Sequence, residues 1–390
     1  MLWRGGRGPV LFAIAAGWFL SLGVRMIYPA LLPSLREAYG LDLATGGLLI
    51  TVLWLAYAVG QLPGGLLTDR IGERDVLAIS TVVSAALLLL VVIADSVLVV
   101  FAATALFGLG TALYGVARFT AANTLYPDHG GAAIGVTLAA GQVGNALLPA
   151  AAGTIAAVTA WQLGFGFTIP IFAVVAVLLW LLVPQSISTD DSAVDTISLE
   201  TARYVLSGVL EPAVILVTVV LTLGFGLWQA FTGFYPTYLI EVKGLSPAVA
   251  SSLFGLYFAL GIVIQPTAGA VYDRFGIRRT LPVFFGIVFC GLVALPLLEG
   301  FWPLLGVTVV LSFMLANIAI LLPYLTALLP EDMQGTGLGF LRTSYMTVAA
   351  SSPFVFGTIA DRGFFDEAFW ILAGLLVINT IVVLQLPELD

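Results

Sequence analysis

The chain has 390 residues, 60% of them hydrophobic and only 9% charged, with a net charge of −8 and a mean hydropathy of +1.09. That charge density cannot cover a soluble surface, and the negative balance argues against a nucleic-acid partner. Apolar stretches of about 20 residues recur instead, each long enough to cross ~30 Å of hydrocarbon. In lipid such stretches must satisfy their own backbone and are therefore helices; the short alternating segments of a barrel are missing.

Twelve spans are expected in chain order: 9–32, 46–68, 75–95, 97–125, 131–156 and 160–183, then 212–240, 247–271, 279–298, 301–328, 335–359 and 367–386. The first run follows Arg4 and Arg7 and is too long for a cleaved signal, so it reads as a retained span. The predicted fold class is an all-α polytopic membrane protein with a six-helix bundle in 1–183, a linker in 184–208 and a second six-helix bundle in 209–390. The linker holds Asp190, Asp191, Asp195 and Glu200. From Ser198 onward Ala202, Val205, Leu206 and Val209 recur at helical spacing, which fits a short surface helix; a flexible acidic tether fits equally well. The single cysteine, Cys290, is read as a small buried hydrophobe.

The chain is built twice. Gly65-Leu-Leu-Thr-Asp69-Arg70-Ile-Gly72-Glu-Arg74 and Gly269-Ala-Val-Tyr-Asp273-Arg274-Phe-Gly276-Ile-Arg278 both read G-x-x-x-D-R-x-G-x-R, at an offset of 204. The same offset pairs Gln61 with Gln265, and Gly135, Pro149 and Gly153 with Gly339, Pro353 and Gly357. Tyr28-Pro29 matches Tyr235-Pro236 at 207, and Leu-Tyr-Pro127-Asp128 matches Leu-Leu-Pro330-Glu331 at 203. Repeats of this kind pack about an axis along the membrane normal. With the N-terminus inside, the cytoplasmic loops hold Arg4, Arg7, Arg70, Arg74, Arg203, Arg274, Arg278 and Arg279, against Arg36, Lys243 and Arg362 outside. The positive-inside bias thus puts both termini in the cytoplasm.

An ionisable residue deep in a span costs ~2.5 kcal/mol or more and marks function by default. Arg25, Arg118 and Arg342 stand there, in spans 1, 4 and 11. Every aspartate and glutamate falls near a span end or in a loop, Asp95, Glu211 and Glu299 being nearest the membrane.

Two six-span halves, a central linker and the duplicated G-x-x-x-D-R-x-G-x-R loop resemble the major facilitator superfamily of secondary transporters over the whole chain. The resemblance implies two bundles related by a pseudo-two-fold axis. It also implies a gating role for Gly65, Asp69, Arg70, Gly72, Arg74, Gly269, Asp273, Arg274, Gly276 and Arg278. Asp69 and Asp273 would cap or pair across neighbouring helix ends, and the arginines would latch the halves. Glu73 and Ile277 stand where the family commonly has a basic residue. Span 5, Gly141-Gln-Val-Gly144 through Pro149 to Gly153, faintly resembles the glycine-proline motif of the family's drug–proton antiporters and is read here as close helix packing.

In the family fold spans 1, 4, 7 and 10 line the cavity and spans 2, 5, 8 and 11 flank it, so all three arginines fall on cavity helices. Their planar forks suit carboxylate or phosphate oxygens, which points to an anionic solute. Polar and aromatic neighbours extend the candidate binding set. Tyr28 lies three residues from Arg25, Tyr345 three from Arg342, and Tyr114 one turn before Arg118. Ala121 and Ala122, one turn after Arg118, are expected to leave room beside it. Gln142 and Asn145 share a face, as do Gln229 and Thr232; Asn317 and Tyr324 lie in span 10. Trp228 fits a cavity wall or a lipid-facing position. His129 reads as a solvated loop residue. No spacing suggests a metal site, a nucleophilic triad or a phosphate-binding loop.

The sequence therefore reads as a secondary transporter of a small organic or inorganic anion, working by alternating access in the plasma membrane. The partners are the solute and the lipid bilayer, with a coupling ion left open; no cofactor and no enzyme activity are expected, and a monomer is expected. The alternative is a multidrug or toxic-compound exporter of the same superfamily, ranked lower because an intramembrane acid is missing. An acidic, lysine-poor chain fits a high-salt (halophilic) source; a GC-rich genome gives the same arginine bias.

Overall fold

Long apolar runs with few interior charges form helices, and every regular element among the described residues is helical. The structure is a computed structural model that describes residues 7–185, 208, 210–330 and 334–388. The first half holds α1 (Arg7–Tyr39), α2 (Leu43–Ile71), α3 (Glu73–Val92), α4 (Val97–Leu125), α5 (Gly130–Val158), α6 (Trp161–Gly166) and α7 (Thr168–Leu182). The second holds α8 (Pro212–Glu241), α9 (Pro247–Phe275), α10 (Ile277–Ala294), α11 (Phe301–Leu311), α12 (Ala316–Leu328), α13 (Gln334–Ala349), α14 (Ser352–Asp361) and α15 (Phe365–Val383). Short 3₁₀ turns at Leu295–Leu297 and Ser312–Leu315 extend α10 and join α11 to α12. The surface helix expected from Ser198 lies outside the described residues.

Eleven of these segments are long and apolar enough to cross a membrane. The remaining predicted span, the eleventh in chain order, is broken at Ala350 and Ser351. The cause is local: Pro353 opens α14 and has no N–H to offer Ala349 at the end of α13. Its repeat partner Pro149 sits inside an uninterrupted α5.

The turns between spans are set by glycine. Gly72 (φ 83°) and Gly276 (φ 75°) take a backbone conformation that side chains resist, and each makes the one-residue turn inside its loop motif. Gly40 (φ 64°) and Gly244 (φ 67°) stand at the same offset of 204 and turn the chain after α1 and α8. Asp42 caps α2, its carboxylate accepting from the Thr45 N–H at 2.7 Å; a hydrogen bond from the Thr45 side chain, and then this backbone bond, hold its carboxyl below the usual range.

Cα packing separates two compact units, one within 1–188 plus 232–259 and the other within 189–231 plus 260–390. In the first, α1 crosses α5 almost backbone to backbone: a Cβ at Gly144 would lie 2.2 Å from the Phe19 carbonyl, and one at Gly23 would lie 2.6 Å from Gly144. Close approach of this kind, rather than hydrophobic exclusion, holds helices together in lipid, and it bears out the close-packing reading of span 5. In the second unit Asn379 on α15 donates to the Val220 carbonyl on α8 (3.3 Å), and Phe356, Phe365 and Phe369 pack as a cluster. Large apolar side chains cover the outside of the helices, Leu98, Val158 and Trp302 among the most exposed. Cys290 belongs to that outer surface and is exposed. The buried reading fails because hydropathy marks a residue as membrane-embedded without saying whether it faces protein or lipid.

Candidate functional site

Arg25 and Arg118 meet on one indole. Both are buried, Arg25 at 0% and Arg118 at 1% exposure. The guanidinium carbon of Arg118 lies 3.8 Å from the centre of the Trp18 ring, and that of Arg25 lies 5.5 Å from it. Trp18 precedes Arg25 by seven residues, two helical turns, so α1 presents both on one face. Arg25 is further enclosed by α2, with Tyr57 at 3.8 Å and Trp54 at 5.1 Å, and its Nε donates to the Ser21 carbonyl at 3.0 Å. Gly115 leaves room for this arrangement: a Cβ there would lie 2.8 Å from the Tyr57 hydroxyl. Arg118 donates from Nη1 to Thr137 Oγ1 on α5 at 2.8 Å, and Thr137 in turn donates to the Ile134 carbonyl. Phe119 closes another side at 3.9 Å.

Burying a guanidinium costs several kcal/mol. A desolvated aromatic face returns ~2 kcal/mol and a hydrogen bond from a charged group ~1.5–3 kcal/mol. Aromatic faces and neutral acceptors therefore offset part of the cost of burying each cation. Among the described residues every acidic side chain within a helix lies at or within two residues of a helix end. Two guanidiniums thus lie in the interior of the first unit, around Trp18.

The other candidate residues divide. Tyr28 turns away from Arg25 into the bundle, its ring on Phe107 and Phe165 and its hydroxyl accepting from Thr104 at 3.4 Å. Three residues along a helix separate side chains by 60°, enough to aim them at different neighbours. Tyr114 is also taken up by packing: its hydroxyl donates to the Ile14 carbonyl at 2.7 Å, and Gly17 leaves space for the ring. Ala121 and Ala122 leave no gap, Ala122 packing with Leu11, Tyr126 and Ala133. Gln142 and Asn145 do share a face, Asn145 donating to Gln142 Oε1 at 3.2 Å.

Gln229 and Thr232 are both buried, but Thr232 packs with the first unit and Gln229 with the second. Within the second unit, Arg342 is half-buried, and Tyr345 meets Phe225, which stacks on Trp228. Asn317 packs on α8, where a Cβ at Gly224 would lie 2.1 Å from its Nδ2. Tyr324 belongs elsewhere: its hydroxyl donates to the Pro387 carbonyl at 2.5 Å. His129 is exposed in the turn before α5.

In the loop motifs, Asp69, Arg70, Asp273 and Arg274 are exposed. The second arginine of each copy is engaged inside its own unit. Arg74 pairs with Asp75 (2.9 Å) and stacks on Trp180 of α7 (4.4 Å). Arg278 donates to the Leu386 carbonyl beyond α15 (2.6 Å). Glu73, in the place of the family's basic residue, is buried and accepts from Thr124 at 3.0 Å. A Cβ at Gly65 would make only an ordinary contact with Val116 at 3.9 Å, and one at Gly269 would meet open space.

Sequence reasoning missed Trp18, Trp54, Tyr57 and Thr137. Trp18 carried a signal in its two-turn spacing from Arg25; the other three come from different helices, and no local spacing encodes them.

Comparison with known proteins agrees with this architecture. The chain is similar to the nitrite extrusion protein of Bacillus subtilis (strain 168), 25% identical over 246 residues that cover 63% of this chain and 59% of that protein. It is similar to the hexuronate transporter of the same organism, 24% identical over 398 residues that cover 96% of this chain and 93% of that protein. Its fold matches the crystal structure of a bacterial homologue of the human lysosomal transporter Spinster, with a TM-score of 0.83 at 14% identity over 98% of this chain and 97% of that one. A profile described as Major Facilitator Superfamily matches residues 13–350, and the chain belongs to that superfamily of membrane transporters.

Proposed function

We propose that this protein is a secondary transporter of a small anion, working by alternating access in the plasma membrane as a monomer with both termini in the cytoplasm. The observation that carries the reading is the Arg25–Trp18–Arg118 stack, two buried guanidiniums on one aromatic ring within hydrogen-bonding geometry that keeps their charge. In this reading the solute's carboxylate or comparable oxyanion binds at the two guanidiniums, with Gln142 and Asn145 contributing from α5, the helix that also carries Thr137. Arg342, half-buried in the second unit, is proposed as a separate solute-contacting cation. The exposed Asp69-Arg70 and Asp273-Arg274 pairs and their glycine turns serve as the cytoplasmic gating elements. Similarity to proteins named for nitrite and hexuronate supports an anionic solute without choosing one. Proteoliposome uptake of nitrite, nitrate and hexuronates, each with and without a proton gradient, tests the reading. Saturable uptake of one of them is expected, lost in Arg25→Ala and Arg118→Ala; unchanged uptake in both variants defeats the site assignment.

A further inference from the structure

A groove of about 220 Å³ runs into the side of the second unit where the eleventh span is broken. Leu227 of α8 and Leu372 of α15 stand on its walls, and Val348, Ala349, Ser351 and Val355 carry it across the break. Gly226 brings α8 close to the broken backbone: a Cβ there would lie 2.6 Å from the Ser352 hydroxyl. Pro353 offers no N–H to the Ala349 carbonyl. The joint between α13 and α14 therefore lacks a rung of its ladder on one side and packed atoms on the other, and a wall facing a void forfeits its dispersion contacts.

Depth, surface and size decide what fills the groove. α14 has 10 residues, or ~15 Å at 1.5 Å per residue, so the break lies well inside ~30 Å of hydrocarbon, away from head groups and bulk water. Val348, Val355 and Ile371, exposed by 61%, 53% and 46%, form the mouth. At that depth an exposed apolar mouth opens sideways onto lipid tails. The hydroxyls on the walls are spent on their own helices: Thr222 donates to the Thr218 carbonyl at 2.7 Å and Ser351 to the Val348 carbonyl at 2.8 Å. The surface left over is hydrocarbon. An apolar cavity of ~150 Å³ stays dry and accepts a benzene-sized guest, whereas a drug-sized ligand wants about 300 Å³ or more. The groove lies between these sizes, which suits a run of methylenes belonging to a longer chain.

We propose that this groove is an acyl-chain site: one chain of a bilayer phospholipid lies in it and braces the joint between α13 and α14. Shape and dispersion hold the chain, so the site selects for hydrocarbon and is indifferent to the head group. The chain supplies the contacts that the break and the void leave unmade. The site is independent of the solute and of Arg25, Arg118 and Arg342, and it stands or falls without them.

The test reconstitutes the full chain with a phospholipid carrying a diazirine in its acyl chain, followed by illumination and peptide mapping. Adducts are expected on 348–355 and 371–375 at about fivefold the yield at Val82, Val174 and Val177, which are comparably exposed on the first unit; that ratio corresponds to ~1 kcal/mol at ~1.4 kcal/mol per decade. The map is the same for phosphoglycerol and phosphoethanolamine head groups. Ala349→Leu fills the groove and removes the excess, and Ser351→Phe removes it from the exposed mouth even where the first variant fails to fold. The brace is read separately by hydrogen exchange. Delipidation in detergent speeds exchange at the amides of Ala350–Ser352 and added phospholipid slows it again, whereas Pro353→Ala, with its N–H restored, loses this dependence on lipid. Even labelling of all lipid-facing segments means boundary lipid only and overturns the site. A map that changes with the head group overturns the chain as the occupant. Exchange at Ala350–Ser352 that ignores lipid in the parent overturns the brace.

Discussion

The two copies of the loop motif do the same mechanical work with different chemistry. Arg74 lies on the face of Trp180, and Arg278 donates to the Leu386 carbonyl. Each ties its loop to the last span of its own half, one through an aromatic ring and the other through a backbone oxygen. Gly72 and Gly276 make matching turns at φ 83° and 75°. Duplication has preserved where the loop is anchored and how it turns, while the contact itself has been free to change. The buried charges behave in the opposite way. Arg25 and Arg118 share Trp18 inside the first unit, whereas among the described residues of the second unit Arg342 is half-buried and has no such ring partner. The loop anchors are repeated and the buried arginines are not.

The largest effect should come from the unrepeated parts. Arg118→Ala or Arg25→Ala is expected to lower uptake about 100-fold, the ~2–5 kcal/mol typical of truncating one partner of a buried charged contact, while Arg342→Ala lowers it about tenfold. Equal losses at all three would erase the asymmetry between units. Next come the repeated glycines. Gly72→Ala and Gly276→Ala should each cost ~1–3 kcal/mol, because both force a side chain into a strained backbone, and thermal melting of the detergent-solubilised protein should show matching falls; a loss at only one would break the equivalence of the turns. Smaller still, Trp180→Ala should remove ~0.5–1 kcal/mol of cation–π contact from the first loop and leave trypsin sensitivity at Arg278 unchanged, which sharpens the claim that each loop is held locally. The smallest effect belongs to Asp42. Asp42→Ala should cost about 1 kcal/mol or less as a lost N-cap. Since the folded-state carboxyl sits below its ordinary range, that contribution is present above the unfolded pKa and fades as the pH falls through the folded one. The wild type and variant should therefore converge in melting temperature on acidification.

Most of the architecture was legible because bilayer thickness forces a length on each apolar run, and ionisable residues inside such runs are too costly to be incidental. Helix ends were less legible. The first helix runs from Arg7 to Tyr39, well beyond the apolar window, and its stop is written in Gly40 and Asp42 rather than in hydropathy. Within the site, Arg25 and Arg118 stood out by cost alone. Tyr28 and Tyr114 misled because shared-face arithmetic places a Cβ, while a long ring reaches whichever neighbour completes its hydroxyl. Tyr324 lay outside any local rule, since its partner Pro387 is 63 residues away. Trp54, Tyr57 and Thr137 depend on which helices touch, and that is decided by glycines whose crossing partners the sequence does not name.

Pro149 and Pro353 are the same inherited residue with two fates, an intact helix in one half and a severed one in the other. A missing hydrogen bond is thus a dormant fault line. It stays silent where the neighbouring ladder and packing bridge it, and it parts where they do not. The same residue type at the same repeat position therefore does not by itself decide whether a span stays whole; the packing around it does.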